Sequence, residues 1–463
     1  AAGQAWATNG MLMEGYGPVA LSMGGAATAY DNGTAAMMNN PATLQLGANG
    51  TQADVAVGVL GPNVVAGGQK SGGTSYVMPA VGWIKKNDQY SYGVGLFAQG
   101  GMGTEFDNGS AQSVSMGTGA VRSELGVGRL IFPLSYKVND RLSVGATLDY
   151  SWAGLDMKMA ASANGGGQVG PTPSTHPAYF QLESMFASAN GMDITATGVQ
   201  AGILSNFTQM ARAFNPNFAD VGAGEVMAGS RLDFSNSSDF TGAAKSTGFT
   251  GKLGLVFKAT DALNVGLSYQ PATNLKDMKT SASGARFSLM DTAGEVANID
   301  GQIIVKNFQM PSVTALGMSF DATPRLKLAL DVKSIGWKSV MEKFNMAFVV
   351  AASGDVMNFA MDQHWKDQTV VSLGAAYSVN EDLLLRAGYS HSSNPVPNDY
   401  VHPLFPATIK DHYTFGFGYK LGKNSTMSAA VSHAPKVSAT NTSSAMPITH
   451  SQTNYQLMLS YRY

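Results

Sequence analysis

Cysteine is absent from the chain, which removes disulfides and cysteine-ligated metal sites and fits an oxidising compartment without requiring one. Also missing is any run of the roughly 20 consecutive apolar residues that a membrane-spanning helix needs. Yet 44% of the residues are hydrophobic and only 13% are charged. A chain of this composition that enters a bilayer does so as strands, and strands in lipid must close on themselves so that no backbone edge is left unpaired. There is no basic run and the net charge is -2, so nothing favours a nucleic acid partner, which selects a basic face. The opening residues Ala1-Ala2-Gly3 have neither a basic n-region nor an apolar h-region, as expected of an exported chain after signal removal. Catalytic signatures are missing too: no G-x-S-x-G elbow, H-E-x-x-H, P-loop or G-x-G-x-x-G occurs. No catalytic residue, metal ligand or cofactor is therefore assigned.

What is present is a repeat. Six times an alternating segment ends in a short polar turn and restarts with an apolar residue. The turns are Lys85-Lys86-Asn87-Asp88, Val138-Asn139-Asp140-Arg141, Ala259-Thr260-Asp261-Ala262, Ala322-Thr323-Pro324-Arg325, Val379-Asn380-Glu381-Asp382 and Leu421-Gly422-Lys423-Asn424. Each carries the Asn, Asp, Gly or Pro that tight turns use. After the second turn Leu142, Val144, Ala146, Leu148 and Tyr150 alternate with Ser143, Gly145, Thr147, Asp149 and Ser151, a period of two that specifies strand. Leu326, Leu328, Leu330 and Val332 alternate with Lys327, Ala329, Asp331 and Lys333 in the same way. Six hairpins and one strand at each end, near residues 51 to 60 and 447 to 463, predict an all-β, 14-stranded antiparallel transmembrane β-barrel with an even strand number. The connections between hairpins are long, the largest spanning about 157–246 and 280–298. Short turns on one rim and long loops on the other match periplasmic and extracellular ends in a bacterial outer membrane. The last strand alternates through Tyr455, Leu457, Leu459 and Tyr461 to Tyr463, like the C-terminal aromatic signal that barrels offer their assembly machinery.

Residues 1–50 do not alternate. Gly15-Tyr16-Gly17-Pro18, Leu21 to Ala29 and Asn39-Asn40-Pro41-Ala42 are small and helix-compatible, too short to span a bilayer and too apolar for a solvated tail. A barrel of this size has a lumen, and the segment is expected to fill it as a partly helical hatch, with residues 51–463 forming the wall. A flexible periplasmic tail is the alternative.

Asn40-Pro41-Ala42 at the end of such a segment resembles the long-chain fatty acid transporter family, the FadL-type outer-membrane channels. Gly93-Val94-Gly95-Leu96-Phe97 leading to Gly103-Thr104-Glu105-Phe106, Met310-Pro311-Ser312, and Asn394-Pro395-Val396-Pro397 after Arg386-Ala387-Gly388-Tyr389 carry the resemblance along the chain. It implies a monomeric, passive channel for hydrophobic molecules such as fatty acids. Ligand would be captured by extracellular loops and released laterally into the membrane through a gap at a kinked third strand, near the Asn-Pro-Ala of the hatch. Aromatic hydrocarbons and oxidised lipids suit a greasy pocket equally. A general diffusion porin for polar solutes and, behind it, a barrel lipase are the competing readings. His391 lies between Ser390 and Ser392, but neighbours on a strand face opposite ways, which argues against a Ser-His pair.

Within the third strand, Gly100, Gly101 and Gly103 are where a bulge or bend is expected. In the largest loop, Ile203, Phe207, Met210 and Phe214 fall at helical spacing and Phe180, Met185 and Phe186 form a second apolar cluster, together a candidate capture surface. Lys158, Arg212 and Lys343 are the candidate partners for a ligand carboxylate. The twenty-five methionines supply flexible side chains suited to varied ligand shapes.

Overall fold

The computed structural model describes residues 9–107, 120–161, 181–184, 227–238, 241–291, 295–352, 354, 356–442 and 445–463. Its strands, in chain order, begin with β1 (Gly50–Ala66), β2 (Gln69–Lys70), β3 (Tyr76–Lys86), β4 (Tyr90–Phe106), β5 (Val121–Lys137) and β6 (Leu142–Ala161). There follow β7 (Gln181–Ser184), β8 (Met227–Phe234), β9 (Ala244–Lys258), β10 (Leu263–Gln270), β11 (Asn274–Leu275), β12 (Met278–Lys279), β13 (Ala285–Asp291) and β14 (Glu295–Lys306). The remainder are β15 (Val313–Thr323), β16 (Leu326–Ile335), β17 (Lys343–Val350), β18 (Val356–Asp362), β19 (Gln368–Ser378), β20 (Leu383–Ser392), β21 (Asp411–Lys420), β22 (Ser425–Thr440) and β23 (Pro447–Arg462).

All belong to one antiparallel sheet, and the first strand pairs with the last, Gln52 opposite Arg462, so the sheet closes. Thr51 and Tyr463 exchange two backbone hydrogen bonds of 2.8 and 2.9 Å at the seam. The expected strand count is corrected: among the described residues the sheet has 23 strands, not fourteen. The six-turn count took the long connections as irregular, whereas they build strands of their own. The region 157–246 contains β7 and β8, and 280–298 contains β13 and the start of β14. From β6 the pairing continues through β8, β13, β14, β17 and β18 to β7, an extension above the wall. These segments escape a period-two count because they follow no short turn.

All six short turns are hairpins, joining β3–β4, β5–β6, β9–β10, β15–β16, β19–β20 and β21–β22. Their repeated sequence has a repeated cause. In five of them the side chain of Asn87, Asn139, Thr260, Thr323 or Asn380 accepts hydrogen bonds from the backbone N–H groups two and three residues on. That is the local geometry Asn and Thr favour in turns. A hydrogen bond from Lys137 across 2.7 Å holds the Asp140 carboxyl below its usual range, and Lys258 does the same to Asp261 across 2.9 Å.

Alternation sorts the two faces. Leu148 is 60% exposed while its neighbour Asp149 is 1% exposed. Leu134, Leu253, Phe415 and Leu459 likewise point outward, as a lipid-facing band requires. Among the described residues no helix is long and apolar enough to cross a membrane.

Inside the ring lie residues 9–46, with a helix α1 (Gly17–Ser22) and two 3₁₀ turns, Gly33–Met37 and Pro41–Leu46. Pro18 and Pro41 stand at the first turns of their helices, where a missing N–H costs nothing. The segment touches opposite sides of the wall. Gly24 N–H donates to Thr414 Oγ1 of β21, Thr34 to Asp54 of β1, and Asn40 Nδ2 to the Leu255 carbonyl of β9.

Candidate functional site

The wall has a break in it. β3 pairs with β4 only from Ala80 opposite Phe97 down to Lys86 opposite Ser91, although β3 stays paired to β1 up to Tyr76. Above Phe97, β4 leaves β3 and continues on β5 alone, through a register shift between Ala98 and Gly100 that leaves Gln99 as the extra residue. Its alternation ends there as well: Phe97 through Thr104 are all buried, as are Val121 through Arg129 on β5. A strand with both faces covered has moved in from the lipid surface. At the top, β4 is tied to the turn after β2, where Gly72 N–H donates to the Glu105 carbonyl and Glu105 N–H to Ser71 Oγ. Tyr76 to Pro79 and Ala98 to Thr104 are thus the two sides of a window between β3 and β4.

An unpaired strand edge at membrane depth is costly, and the inner segment supplies the missing partners. Leu12 bridges Gly100, and Gly101 N–H donates to the Met11 carbonyl at 3.1 Å. A Cβ at Gly100 would collide with that carbonyl, so glycine is what lets the two backbones meet. Tyr16 Oη donates to the Gln99 carbonyl at 2.7 Å. The fully buried Arg129 holds the Gln99 side chain at 2.7 Å and pairs with Asp149 at 3.0 Å and Gln270 at 2.9 Å.

The window opens on an apolar interior. Met11, Met78, Met102, Phe106, Met157, Phe287, Phe344, Trp337 and Trp365 belong to one buried cluster. Trp337 and Trp365 meet edge to face at 5.2 Å, and Phe344 lies 6.0 Å from Phe308 and 6.1 Å from Phe405. Such edge-to-face and tilted arrangements suit rings.

Below the apolar cluster the inner segment is seated on glycine. Gly82 faces Gly95, Gly145 faces Gly254, Gly266 faces Gly317 and Gly374 faces Gly388 across neighbouring strands. At Gly145 a Cβ would stand 2.6 Å from Ala42 N, and at Gly374 2.6 Å from the Met23 carbonyl. Buried charges complete the seat. Asp331 accepts from Ala27 N, Thr28 N and Thr28 Oγ1, Asp54 from Thr34 N and Thr34 Oγ1, Lys333 donates to the Gly25 carbonyl, and Lys252 to those of Met38 and Asn39.

Of the residues singled out from sequence, Gly100, Gly101 and Gly103 lie in the displaced part of β4. Asn40 is buried and caps the turn at Pro41, its Oδ1 accepting from Ala42 N–H at 3.1 Å. Asn40-Pro41-Ala42 meets the wall at Gly145 of β6 and Gly254 of β9, while the backbone bonds to the bulged strand come from Met11, Leu12 and Tyr16. Lys158 donates to Ser237 Oγ at 3.1 Å and Lys343 pairs with Asp362 at 3.5 Å. Phe180, Met185, Phe186, Ile203, Phe207, Met210, Phe214 and Arg212 lie outside the described residues. Arg129, Asp54, Lys252 and the glycine seat were not singled out. Their signal was a charge or glycine recurring at mid-strand on the inward face, as Asp149 and Asp331 do.

Comparison with known proteins fits this geometry. Residues 1–460 match the family model described as outer membrane protein transport protein (OMPP1/FadL/TodX). The chain belongs to this family. It is an integral outer-membrane transport protein of the Gram-negative type rather than an enzyme. The chain is similar to the toluene transporter TodX of P. putida, with 29% identity, 97% of this chain and 99% of that one covered, and a TM-score of 0.76. It is similar to the toluene transporter TbuX of Ralstonia pickettii at 26% identity, 97% and 99% coverage and a TM-score of 0.72. It is also 26% identical over 198 residues to a Neisseria meningitidis serogroup B chain named as an outer membrane protein, covering 40% of this chain and 42% of that one. The chain spans less than half the length of the curated relatives it matches, 28% and 42%.

Proposed function

We propose that the chain is a passive channel for small hydrophobic molecules, monoaromatic hydrocarbons foremost, and that they leave the lumen sideways through the β3–β4 window. The observation that carries this reading is the loss of β3–β4 pairing above Ala80 and Phe97 while β4 remains paired to β5. It joins an apolar interior to the lipid-facing side of the wall. The aromatic and methionine lining suits rings, and the solved relatives named for toluene share the fold over nearly the whole chain. A fatty acid fits less well: of the candidate carboxylate partners, Lys158 is held by Ser237 and Lys343 by Asp362.

Lateral exit keeps the solute out of water, so the inner segment can remain seated as a hatch during passage. The channel works as a monomer, and the aromatic residues of the closing strand, Tyr463 among them, are the signal its assembly machinery reads. Toluene uptake by cells with a lipopolysaccharide outer leaflet, with and without the full chain, tests the substrate class. Uptake well above cells lacking the chain, with no matching gain for glucose, is expected; an equal gain for glucose would mark a general porin.

A further inference from the structure

Beside the apolar cluster, the inward faces of β20 to β23 carry a run of buried polar residues. Ser390 stands across from His412, and Ser432 across from Asn454. Gln452 Nε2 donates to Asn454 Oδ1 at 2.7 Å, and Asn454 Nδ2 to Glu14 of the inner segment at 3.1 Å. His412 is fully buried, yet neither ring nitrogen has a hydrogen-bond partner among the described residues, and the same holds for the buried Ser432 Oγ. Buried donors and acceptors are destabilising unless something satisfies them. Here several lie together on one face.

This polar bay borders the apolar cluster at three points. Met13 of the cluster precedes Glu14, Ile448 precedes His450 on the same face of β23, and Phe405 precedes Pro406, whose carbonyl lies 2.9 Å from His450 Nδ1. Phe405 lies 6.1 Å from Phe344, so this last contact links the aromatic residues to the bay.

We infer that the bay around His412 and Ser432 binds the hydroxyl of a phenol-type ligand, a single ring carrying one neutral hydrogen-bonding group. A neutral imidazole offers one donor and one acceptor, and a serine hydroxyl both, which matches a hydroxyl. The charged groups that act on His412, Glu14 and Asp411, are both acidic, so a carboxylate is disfavoured there. The inference rests on the channel reading and adds a class of cargo to it.

The test is the binding of phenol and of toluene to the purified full-length barrel, in the wild type and in His412→Leu and Ser432→Ala. Taking each variant's phenol-to-toluene affinity ratio cancels the difference in hydrophobicity. His412→Leu is expected to lower that ratio about tenfold and Ser432→Ala about threefold, the range for one lost hydrogen bond, with toluene affinity unchanged. Ratios that stay within about twofold of wild type in both variants overturn the inference and assign the bay to water alone. If His412→Leu does not give a heat-modifiable barrel, Ser432→Ala decides, since it removes one oxygen and no volume that packing depends on. Toluene binding with an unmoved ratio removes only this inference; wild type that binds neither compound removes the channel reading with it.

Discussion

At the level of single residues, the wall and the inner segment are matched by the absence of side chains. Gly145 on β6 lies under Ala42, and a Cβ would meet backbone atoms 2.6 Å away, where neither partner can yield. Gly145→Val is therefore expected to form a barrel and unseat the segment near Asn40, seen as raised ion conductance in planar bilayers. Conductance equal to wild type would show that the close approach is dispensable. Asp331 supports the middle of the segment through three hydrogen bonds to Ala27 and Thr28. Hydrogen bonds to a charged group are worth about 1.5–3 kcal/mol each, and breaking a buried network leaves its donors unpaired. Asp331→Ala should accelerate amide exchange of residues 25–30 by at least tenfold, read by hydrogen exchange and mass spectrometry. On the outer face the rule reverses. Leu148 is 60% exposed to the membrane side, and Leu148→Arg should lower barrel stability by about 2–4 kcal/mol in a folding titration if it lies near the midplane.

At the level of elements, the hairpins were legible because one turn chemistry recurs: Asn or Thr accepting from the N–H groups two and three residues on, followed by an apolar restart. The closing strands were legible from their alternation. The strands β7, β8, β13, β14, β17 and β18 were not, since they lie in the long connections and follow no repeated turn; β14 does alternate, with Ile299, Ile303 and Val305 buried and Asn298 and Asp300 exposed, but no turn marks where it starts. The bend in β4 could be placed at Gly100 and Gly101, because glycine in a strand weakens pairing wherever it occurs. Which groups would satisfy the freed edge could not. Met11, Tyr16 and Arg129 reach it from distant parts of the chain, and contacts of that separation leave no local pattern. The seat was half legible: the Leu-x-Val-Gly at residues 142–145 and again at 263–266 places glycine inward at one height, but only the three-dimensional fit explains it.

The molecule as a whole separates two tasks. A closed sheet presents an apolar exterior to lipid, while its interior divides into an aromatic cluster, a polar bay and a filled base. On the proposed reading, the filled base closes the straight aqueous path and the window in the wall is the route for a molecule that prefers lipid to water. Removing residues 1–42 is expected to raise ion conductance sharply while the barrel persists, and unchanged conductance would mean that the segment does not obstruct the lumen. The most direct test of the lateral route acts on the bulge itself. Deleting Gln99 restores regular register between β4 and β5 and draws β4 back toward β3. Toluene uptake by cells carrying this deletion should fall to the level of cells without the protein, with the amount of barrel and its ion conductance unchanged; uptake equal to wild type would contradict release through the wall.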